Sequence, residues 1–265
     1  MKVLISGASG MIGTALLKHL ENDHDVYRLV RRKSMSGHEI EWDYTRHFIE
    51  DKFHEQQFDA VIHLSGENIA AGPWTAKRKR EIVNSRTEST LFLCDLIIQQ
   101  KNPPQTFISA SAVGIYGNRG DEILDETARA GSGFLADTCN EWEYCSKHLL
   151  TKNIRVVHLR AGIVLSQSGG FLAKLLPVFK LGLGGRLGNG KMYMSWIDLE
   201  DLLSIYQFVL ENDRIEGAVN ASAPNPVTNS EFTTSLAKLL RRPAFFHLPA
   251  WLLTFVFGDM AKEAM

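Results

Sequence analysis

Val3-Leu4-Ile5-Ser6-Gly7-Ala8-Ser9-Gly10-Met11-Ile12-Gly13 is the stretch that decides the fold. A short β-branched run leads into three spaced glycines, and apolar residues at helical spacing follow from Ile12 to Glu21. A turn without side chains lets the backbone approach a pyrophosphate, and the helix N-terminus supplies free N–H donors. The stretch therefore predicts a dinucleotide-binding strand-turn-helix unit, or else a tight turn that binds nothing. The expected contacts are Gly7, Ser9, Gly10, Met11, Ile12 and Gly13.

Apolar runs alternate with helical segments along the first 165 residues. The further predicted strands are Val26–Val30, Glu39–Trp42, Ala60–Leu64, Thr106–Ile108 and Arg155–Leu159. Their nearly continuous apolar character is typical of parallel strands that are covered on both faces. Helices are predicted over Thr75–Gln100, with a break left open, and over Phe134–Leu150. The pattern predicts an α/β fold with a Rossmann-type doubly wound parallel sheet.

The pattern changes after Leu165, where many glycines follow within a few turns. We expect a loop-rich insertion there, facing the substrate, instead of another regular βα unit. The predicted division is a cofactor domain of residues 1–165 and 193–222 and a small C-terminal substrate lobe of residues 166–192 and 223–265. The apolar run Phe245–Phe257 predicts a buried helix and its approach. Because little chain follows to cover it, we expect either self-association or a partly disordered tail.

Composition limits the class of partner. The 265 residues carry 29 Lys and Arg against 30 Asp and Glu, so binding of nucleic acid or of a membrane through bulk charge is not expected. Three cysteines without a C-x-x-C indicate neither a disulfide framework nor a zinc site, and histidines at ligand spacing are lacking. These features predict a cytoplasmic protein with a small-molecule substrate and no metal; a homo-oligomer stays open.

The end of the second predicted strand indicates which dinucleotide binds. An acidic side chain there would accept hydrogen bonds from the adenosine ribose, but the chain has Val30-Arg31-Arg32-Lys33. Guanidinium groups suit a 2′-phosphate better than a hydroxyl, so the sequence favours NADP(H) over NAD(H). The alternative is an ordinary solvated cationic loop. Asp43, past the third strand, either faces the adenine amino group or is a turn aspartate.

Longer motifs carry a resemblance to a known family. With the glycine loop, the segments Val61–Gly66, Ile108–Gly117 and Trp196–Asp201 resemble an extended short-chain dehydrogenase/reductase of the NAD-dependent epimerase/dehydratase family. The closer match is to the branch named after nucleoside-diphosphate-sugar epimerases, which has no settled reaction. It is carried by Gly66–Ile69, Trp74-Thr75, Ser85-Arg86, Trp142-Glu143, Leu159–Leu165 and Leu181–Gly185. The resemblance implies a Rossmann domain with NADP and a small C-terminal substrate lobe. Because members of this branch usually continue past the position of Met265, it also implies that the lobe is truncated at the C-terminus. We expect further cofactor contacts from Leu64, Ser65, Gly66 and Glu67.

The superfamily uses a Tyr-x-x-x-Lys pair for proton transfer and a serine that orients the substrate oxygen. Ser111 is the candidate serine, or else a serine that bonds the backbone at a strand end. Tyr144 and Lys147 are three residues apart instead of four. Extended relatives often carry a Glu four residues beyond the Lys, and aligning that Glu with Glu143 puts Leu135 and Cys139 at the Tyr and Lys positions. Both functional groups are then absent, and Tyr144 is half a turn out of phase with this face.

The remaining candidates have two interpretations each. Glu143 is a general base if burial raises its pKa, or else an ordinary paired side chain. Arg86 and Arg160 either hold an anionic substrate or brace a carboxylate. Further substrate contacts are expected from Asn68, Trp74, Tyr116 and Tyr193. The leading hypothesis is an NADP-dependent oxidoreductase or epimerase-like enzyme for a sugar nucleotide or other small anionic molecule; the alternative is a non-catalytic NADP(H)-binding sensor or interaction protein.

Overall fold

The computed structural model describes residues 1–249 together with Trp251 and Glu263. The strands in the described residues are β1 (Lys2–Ser6), β2 (Asp25–Val30), β3 (Glu39–Asp43), β4 (Phe48–Ile49), β5 (Ala60–His63), β6 (Thr106–Ala112), β7 (Arg155–Ala161), β8 (Ile163–Leu165), β9 (Gly185–Leu187), β10 (Tyr193–Met194), β11 (Trp196–Asp198), β12 (Gly217–Ala221), β13 (Val227–Thr228) and β14 (Phe246–Leu248). The α-helices are α1 (Met11–Leu20), α2 (Lys52–Glu55), α3 (Ala76–Gln99), α4 (Phe134–Tyr144), α5 (Gly170–Lys180), α6 (Leu199–Glu211) and α7 (Asn229–Leu240). Short 3₁₀ turns cover Tyr44–Arg46, Val113–Tyr116 and Lys147–Lys152.

One eight-stranded sheet organises the chain, with the order β12-β7-β6-β5-β1-β2-β3-β4. Every pairing in it is parallel except that of β4 with β3. The chain moves outward from β1 in both directions, and this confirms the predicted α/β doubly wound architecture. The carboxyl ends of the strands, where such sheets bind ligands, therefore collect the segments that follow β1, β2, β5, β6 and β7.

The core lies in two layers, one on each face of the sheet. Alternate side chains of β1 divide between them: Val3 and Ile5 pack with α1 and α6, and Leu4 packs with α2 and α3. The same alternation holds along β5, β6 and β7. Because both faces are covered by helices, these strands are apolar at nearly every position, which explains why they were recognisable from sequence.

Two helical predictions need correction. The segment Phe134–Leu150 is not one helix, since α4 ends at Tyr144 and a 3₁₀ turn follows. The region after Leu165 contains α5, an 11-residue helix. Its apolar residues Phe171, Leu175 and Phe179 recur at i, i+4 and i+8, a pattern that the surrounding glycines obscured. The helix predicted over Thr75–Gln100 is the continuous helix α3. Thr75 is its N-cap, and the Thr75 hydroxyl accepts the Arg78 N–H.

The C-terminal half also contains three two-stranded sheets: β8 with β11, β9 with β14, and β10 with β13. The first described residues of the apolar run Phe245–Phe257 form strand β14, and Phe245 itself is exposed. After β14 only Pro249 and Trp251 of this run are described, so the predicted buried helix and its consequences lie mostly outside the described residues. In residues 1–249, with Trp251 and Glu263, the structure has no helix of the length and apolarity that a membrane span requires.

A buried polar contact joins β1, β5 and α3 beneath the glycine turn. His63 is fully buried; its Nδ1 lies 2.7 Å from the Ser6 hydroxyl and its Nε2 lies 3.3 Å from the Ser89 hydroxyl. The Ser6 hydroxyl also accepts the Leu64 N–H. Burial lowers the pKa of His63 to about 3, so the ring is neutral at physiological pH.

This burial predicts a specific acid sensitivity. The unfolded chain protonates His63 near pH 6.5, whereas the folded chain does so only near pH 3, so stability falls as the pH falls between these values. We expect a loss of about 2 kcal/mol from this residue between pH 8 and pH 5. Denaturant unfolding of the unmutated protein, His63→Gln and the exposed control His54→Gln at both pH values measures it. An unchanged pH dependence in His63→Gln would contradict the prediction.

Candidate functional site

The glycine turn after β1 is shaped by two close backbone approaches. Gly7 adopts a positive φ of 71°, and a Cβ on it would lie 2.7 Å from the Leu64 carbonyl carbon. A Cβ on Gly13 would collide with the Gly7 carbonyl oxygen and lie 2.7 Å from the Ala8 Cα. Side chains are therefore excluded at Gly7 and Gly13, and α1 is held directly against the end of β1.

The N-terminus of α1 is suited to an anion. Gly10 is its N-cap; among the described residues no side chain caps it, and its first turn contains no acidic residue. The N–H groups of this turn and the helix dipole thus face the crevice at the carboxyl edge of the sheet. The Met11 side chain lies against Gly169 and Gly170, where α5 begins. These residues fit the pyrophosphate of a dinucleotide.

The two arginines after β2 have different environments. Arg32 forms a bidentate pair with Glu39, with nitrogen–oxygen distances of 2.8 and 2.6 Å, although its side chain is half exposed. Arg31 is 69% exposed and lies 3.9 Å from Glu67. Asp43 accepts hydrogen bonds from Thr45 and Arg46, which hold its pKa below the usual range. Its carboxylate is thus engaged as a turn aspartate.

The Arg86 side chain holds the backbone of the segment that follows β5. Its guanidinium donates to the carbonyls of Ile82 and Glu67 and lies over the Trp142 ring. A Cβ on Gly66 would lie 3.2 Å from the Arg86 Cζ. Arg86 therefore braces the backbone of this segment through two carbonyl oxygens, and its contact with an anionic substrate stays a prediction.

Other predicted contacts in this segment are held by local hydrogen bonds. Asn68 is exposed and its amide oxygen accepts the Ala70 N–H. Trp74 is buried, with its indole N–H on the Ile69 carbonyl and its ring edge-on to Phe134. Burial makes Trp74 part of the support of this loop, so its face is not open for stacking on a substrate ring.

Ser111, Glu143 and Arg160 meet at the carboxyl ends of β6 and β7. The Ser111 hydroxyl donates to the Glu143 carboxylate at 2.6 Å, and Arg160 donates to both carboxylate oxygens at 2.9 and 2.8 Å. Side-chain exposure is 12% for Glu143 and 10% for Arg160. Ser111 lies within β6, one residue before its end, and its backbone pairs with Arg160 of β7. The sheet register therefore brings the three side chains together.

Glu143 would act as a general base if its pKa were raised, and the structure gives the opposite direction. Burial by itself would raise its pKa, but the hydrogen bonds from Arg160 and Ser111 outweigh burial and lower it. Glu143 is thus a stable carboxylate at neutral pH, paired with Arg160. Of the two interpretations of Arg160, the one realised is the brace of a carboxylate.

The Tyr116 hydroxyl connects Arg160 of β7 with Asn220 of β12. Tyr116 is buried; its hydroxyl donates to the Asn220 side chain at 2.7 Å and accepts a hydrogen bond from Arg160. With both capacities of the hydroxyl used, Tyr116 supports Arg160 and is not available to a substrate. Tyr193, at the start of β10, is half exposed, which leaves its ring accessible to a ligand.

The face of α4 agrees with the predicted helical phase. Cys139 is buried at 5% exposure, whereas Tyr144 is 66% exposed and carries the Lys147 ammonium 4.7 Å above its ring. Burial raises the pKa of the Cys139 thiol to about 11, so it is neither an anion nor a substitute for a lysine. Tyr144 points away from the face that holds Cys139 and Glu143.

Several supporting residues escaped the sequence reasoning. These residues are Glu39, His63, Arg78 and Asn220. His63 and Asn220 have partners from distant segments, whereas the partners of Glu39 and Arg78 lie within about a dozen residues along the chain. Their sequence neighbours carry no motif. In the part of the chain that the structure describes, His, Cys, Asp and Glu form no group of three or more suited to a metal ion.

Comparisons with known proteins agree on one family. The model of the NAD dependent epimerase/dehydratase family matches residues 3–222. An epimerase family protein of Mycobacterium bovis is 40% identical over 99% of this chain and 87% of that protein. A crystal structure of the human epimerase family protein SDR39U1 with NADPH matches with a TM-score of 0.90 at 31% identity, covering 100% of this chain and 88% of that one. A nucleoside-diphosphate sugar epimerase from Corynebacterium glutamicum matches with a TM-score of 0.77 at 35% identity, covering 99% and 57%.

The ion pair makes Glu143 important for folding. We expect Glu143→Gln to lower the free energy of unfolding by about 3 kcal/mol, because it leaves the buried Arg160 without its counter-charge. Ser111→Ala should cost about 1 kcal/mol, the value of one hydrogen bond. Urea unfolding at neutral pH measures both. Glu141→Gln, an exposed position on the same helix, is the control, and a Glu143→Gln variant as stable as this control would refute the assignment.

Proposed function

Because the chain belongs to the NAD dependent epimerase/dehydratase family, we propose that it is an NADP(H)-dependent oxidoreductase or epimerase-like enzyme. Its substrate is a sugar nucleotide or another small anionic molecule. In this assignment residues 1–165 and 193–222 form the cofactor domain, and residues 166–192 and 223–265 form the substrate lobe. We also propose that the protein is located in the cytoplasm.

The glycine turn is the observation that carries the proposal. A positive φ at Gly7, the close approach at Gly13 and an uncapped α1 N-terminus leave space and donors for a pyrophosphate. Leu64, Ser65 and Gly66 form the opposite wall of the same crevice, since Gly7 packs against the Leu64 backbone. We infer that a dinucleotide lies across the carboxyl edge of the sheet, over the place where these two segments meet.

The choice of NADP(H) rests on the basic end of β2 and on the relative SDR39U1, which was crystallised with NADPH. The position that would carry an acid for a ribose hydroxyl holds Arg31. When bound, the nicotinamide supplies a hydride acceptor or donor. The protein would supply the binding, the orientation and the proton transfer around it.

Ser111 is the proposed orienting group. Its proton is committed to Glu143 at 2.6 Å, so its oxygen is free to accept a hydrogen bond from a substrate hydroxyl. Glu143 is a positioning residue in this arrangement, because Arg160 keeps it ionised and directed at Ser111. A proton that leaves the substrate would pass through Ser111, Glu143 or a bound water.

Charge supports an anionic substrate. Residues 166–192 and 223–249 of the proposed lobe contain a single acidic residue, Glu231, whose carboxylate is used in the capping box of α7. The cationic residues of the same segments are Lys174, Lys180, Arg186, Lys191, Lys238, Arg241 and Arg242. A lobe of this sign in a chain of net charge -1 favours phosphate or carboxylate groups on the substrate.

One observation favours the second candidate, a non-catalytic NADP(H)-binding sensor. Leu135 and Cys139 stand where the resemblance implies a Tyr and a Lys, and neither can transfer a proton at neutral pH. A thermal-shift screen with NADP(H), NAD(H) and a panel of sugar nucleotides, followed by the absorbance of reduced nicotinamide, separates the two candidates. Stabilisation by a sugar nucleotide with turnover of the cofactor supports the enzyme; stabilisation by NADP(H) without turnover of any panel member supports the sensor.

We expect NADP(H) to bind at least about tenfold more tightly than NAD(H), a difference of about 1.4 kcal/mol. The double variant Arg31→Ala with Arg32→Ala should lose most of this preference, because no other cation follows β2 directly except Lys33. Calorimetric titration of both cofactors measures the ratio. Equal affinities in the unmutated protein would rule out the cofactor assignment.

We expect Tyr144→Phe to change any hydride-transfer rate by less than about threefold, compared with a loss of about a hundredfold when a general acid is removed. The exposure of its ring away from Cys139 and Glu143 is the reason. Ser111→Ala should lower turnover much more than Tyr144→Phe in the same assay. A larger effect of Tyr144→Phe would show that the site uses the conventional pair after all.

A further inference from the structure

The Arg86 guanidinium is a partly buried cation that is held by neutral groups. It donates to the Ile82 carbonyl at 2.9 Å and to the Glu67 carbonyl at 3.1 Å. In the described part of the chain none of the ion pairs includes Arg86. Burial lowers its pKa, but a guanidinium is not deprotonated in proteins. Arg86 therefore carries a permanent positive charge without a carboxylate as direct partner.

This charge lies between the segment that follows β5 and helix α4. A Cβ on Gly66 would lie 3.2 Å from the Arg86 Cζ, so the guanidinium fills the space that a side chain at Gly66 would need. From α4, the Trp142 ring lies 5.1 Å from the guanidinium. The charge also reaches the Cys139 thiol, whose pKa is raised to about 11 by burial and partly lowered by Arg86.

The position belongs to the nicotinamide half of the proposed crevice. A dinucleotide crosses a doubly wound sheet at the strand where the order reverses, and β1 is that strand here. The adenosine ribose lies at the end of β2, so the nicotinamide lies on the other side of β1, over β5 and β6. Helix α4 packs beside β6, since Glu143 accepts a hydrogen bond from Ser111. Arg86 thus stands beneath the nicotinamide half.

The surrounding charges oppose one another. Glu67 and Arg78 both act on Arg86 with opposite sign, and they form an ion pair at 3.4 Å. The buried pair between α4 and β7 adds one charge of each sign. The Glu263 carboxylate accepts two N–H groups in the first turn of α4, where the positive end of the helix dipole offsets it. Arg86 is left as the uncompensated charge of this region.

The two redox forms of NADP(H) differ in charge at this place. The oxidised nicotinamide ring is a cation and the reduced ring is neutral, whereas the phosphates are the same in both forms. We propose that Arg86 makes the crevice selective for NADPH over NADP⁺, because its charge repels the oxidised ring and not the reduced ring. This rests on the proposed binding of NADP(H). An enzyme of this kind would be loaded with NADPH and release NADP⁺ readily, and a sensor would respond to the ratio of the two forms.

The test is the ratio of the dissociation constants of NADP⁺ and NADPH, measured by calorimetric titration. We expect a ratio of at least about ten in the unmutated protein, and Arg86→Gln should lower it at least about fivefold. Arg86→Lys keeps the charge but not the fork of donors, so its ratio should stay within about twofold of the unmutated protein. A purely structural role would change both variants alike. Lys101→Gln, which removes an exposed cation after α3, is the control for net charge.

The pH dependence of the ratio tests the source of the charge in the unmutated protein. A guanidinium does not titrate, so the ratio should be constant between about pH 6.5 and pH 9. A ratio that falls as the pH rises would assign the selectivity to a titrating group such as His158 and overturn the proposal. A ratio near one, an unchanged ratio in Arg86→Gln, or an equal loss in both Arg86 variants also overturns it, while the binding of NADP(H) stands. Binding of neither form would overturn the proposed function itself.

Discussion

The close approach of the Gly7 turn to the Leu64 backbone is the constraint on which the rest of the molecule depends. A Cβ at Gly7 would lie 2.7 Å from Leu64, so only glycine lets β1, α1 and the end of β5 meet. This contact sets the N-terminus of α1 at the edge of the sheet. The other strands of the large sheet follow outward from β1 and β5 on either side of this contact.

The second organising interaction is electrostatic and buried. Arg160 and Glu143 form a pair that is almost closed to water, and each is further satisfied by a hydroxyl, from Tyr116 and Ser111 respectively. A pair with these additional hydrogen bonds tolerates burial, and it keeps the carboxylate in its ionised form. Proton transfer at this place would therefore start from a serine held by a carboxylate, instead of from a tyrosine activated by a lysine.

Buried carboxylates also control where positive charge is available. Glu39 and Glu143 each bind an arginine through two hydrogen bonds, so these cations brace the structure and do not meet a ligand. Arg31, in contrast, is 69% exposed and has only a 3.9 Å contact with Glu67. Which arginines are open to a ligand thus depends on which of them lack a buried carboxylate partner, more than on how many arginines the chain contains.

The sequence by itself determined the α/β class, the main strands, the glycine turn and the phase of α4, because hydrophobic period and glycine spacing are local properties. Together with the family resemblance, it also predicts that Leu135 and Cys139 replace the usual pair. Only the tertiary structure decided the roles of Arg32, Arg86, Arg160 and Tyr116. Each of these side chains is engaged by a partner that the sheet register or helix packing brings to it, such as Glu39 for Arg32 and Glu143 for Arg160. Whether an arginine binds a ligand or a carboxylate depends on how the folded strands and helices place that partner, and no hydrophobic period or glycine spacing encodes it.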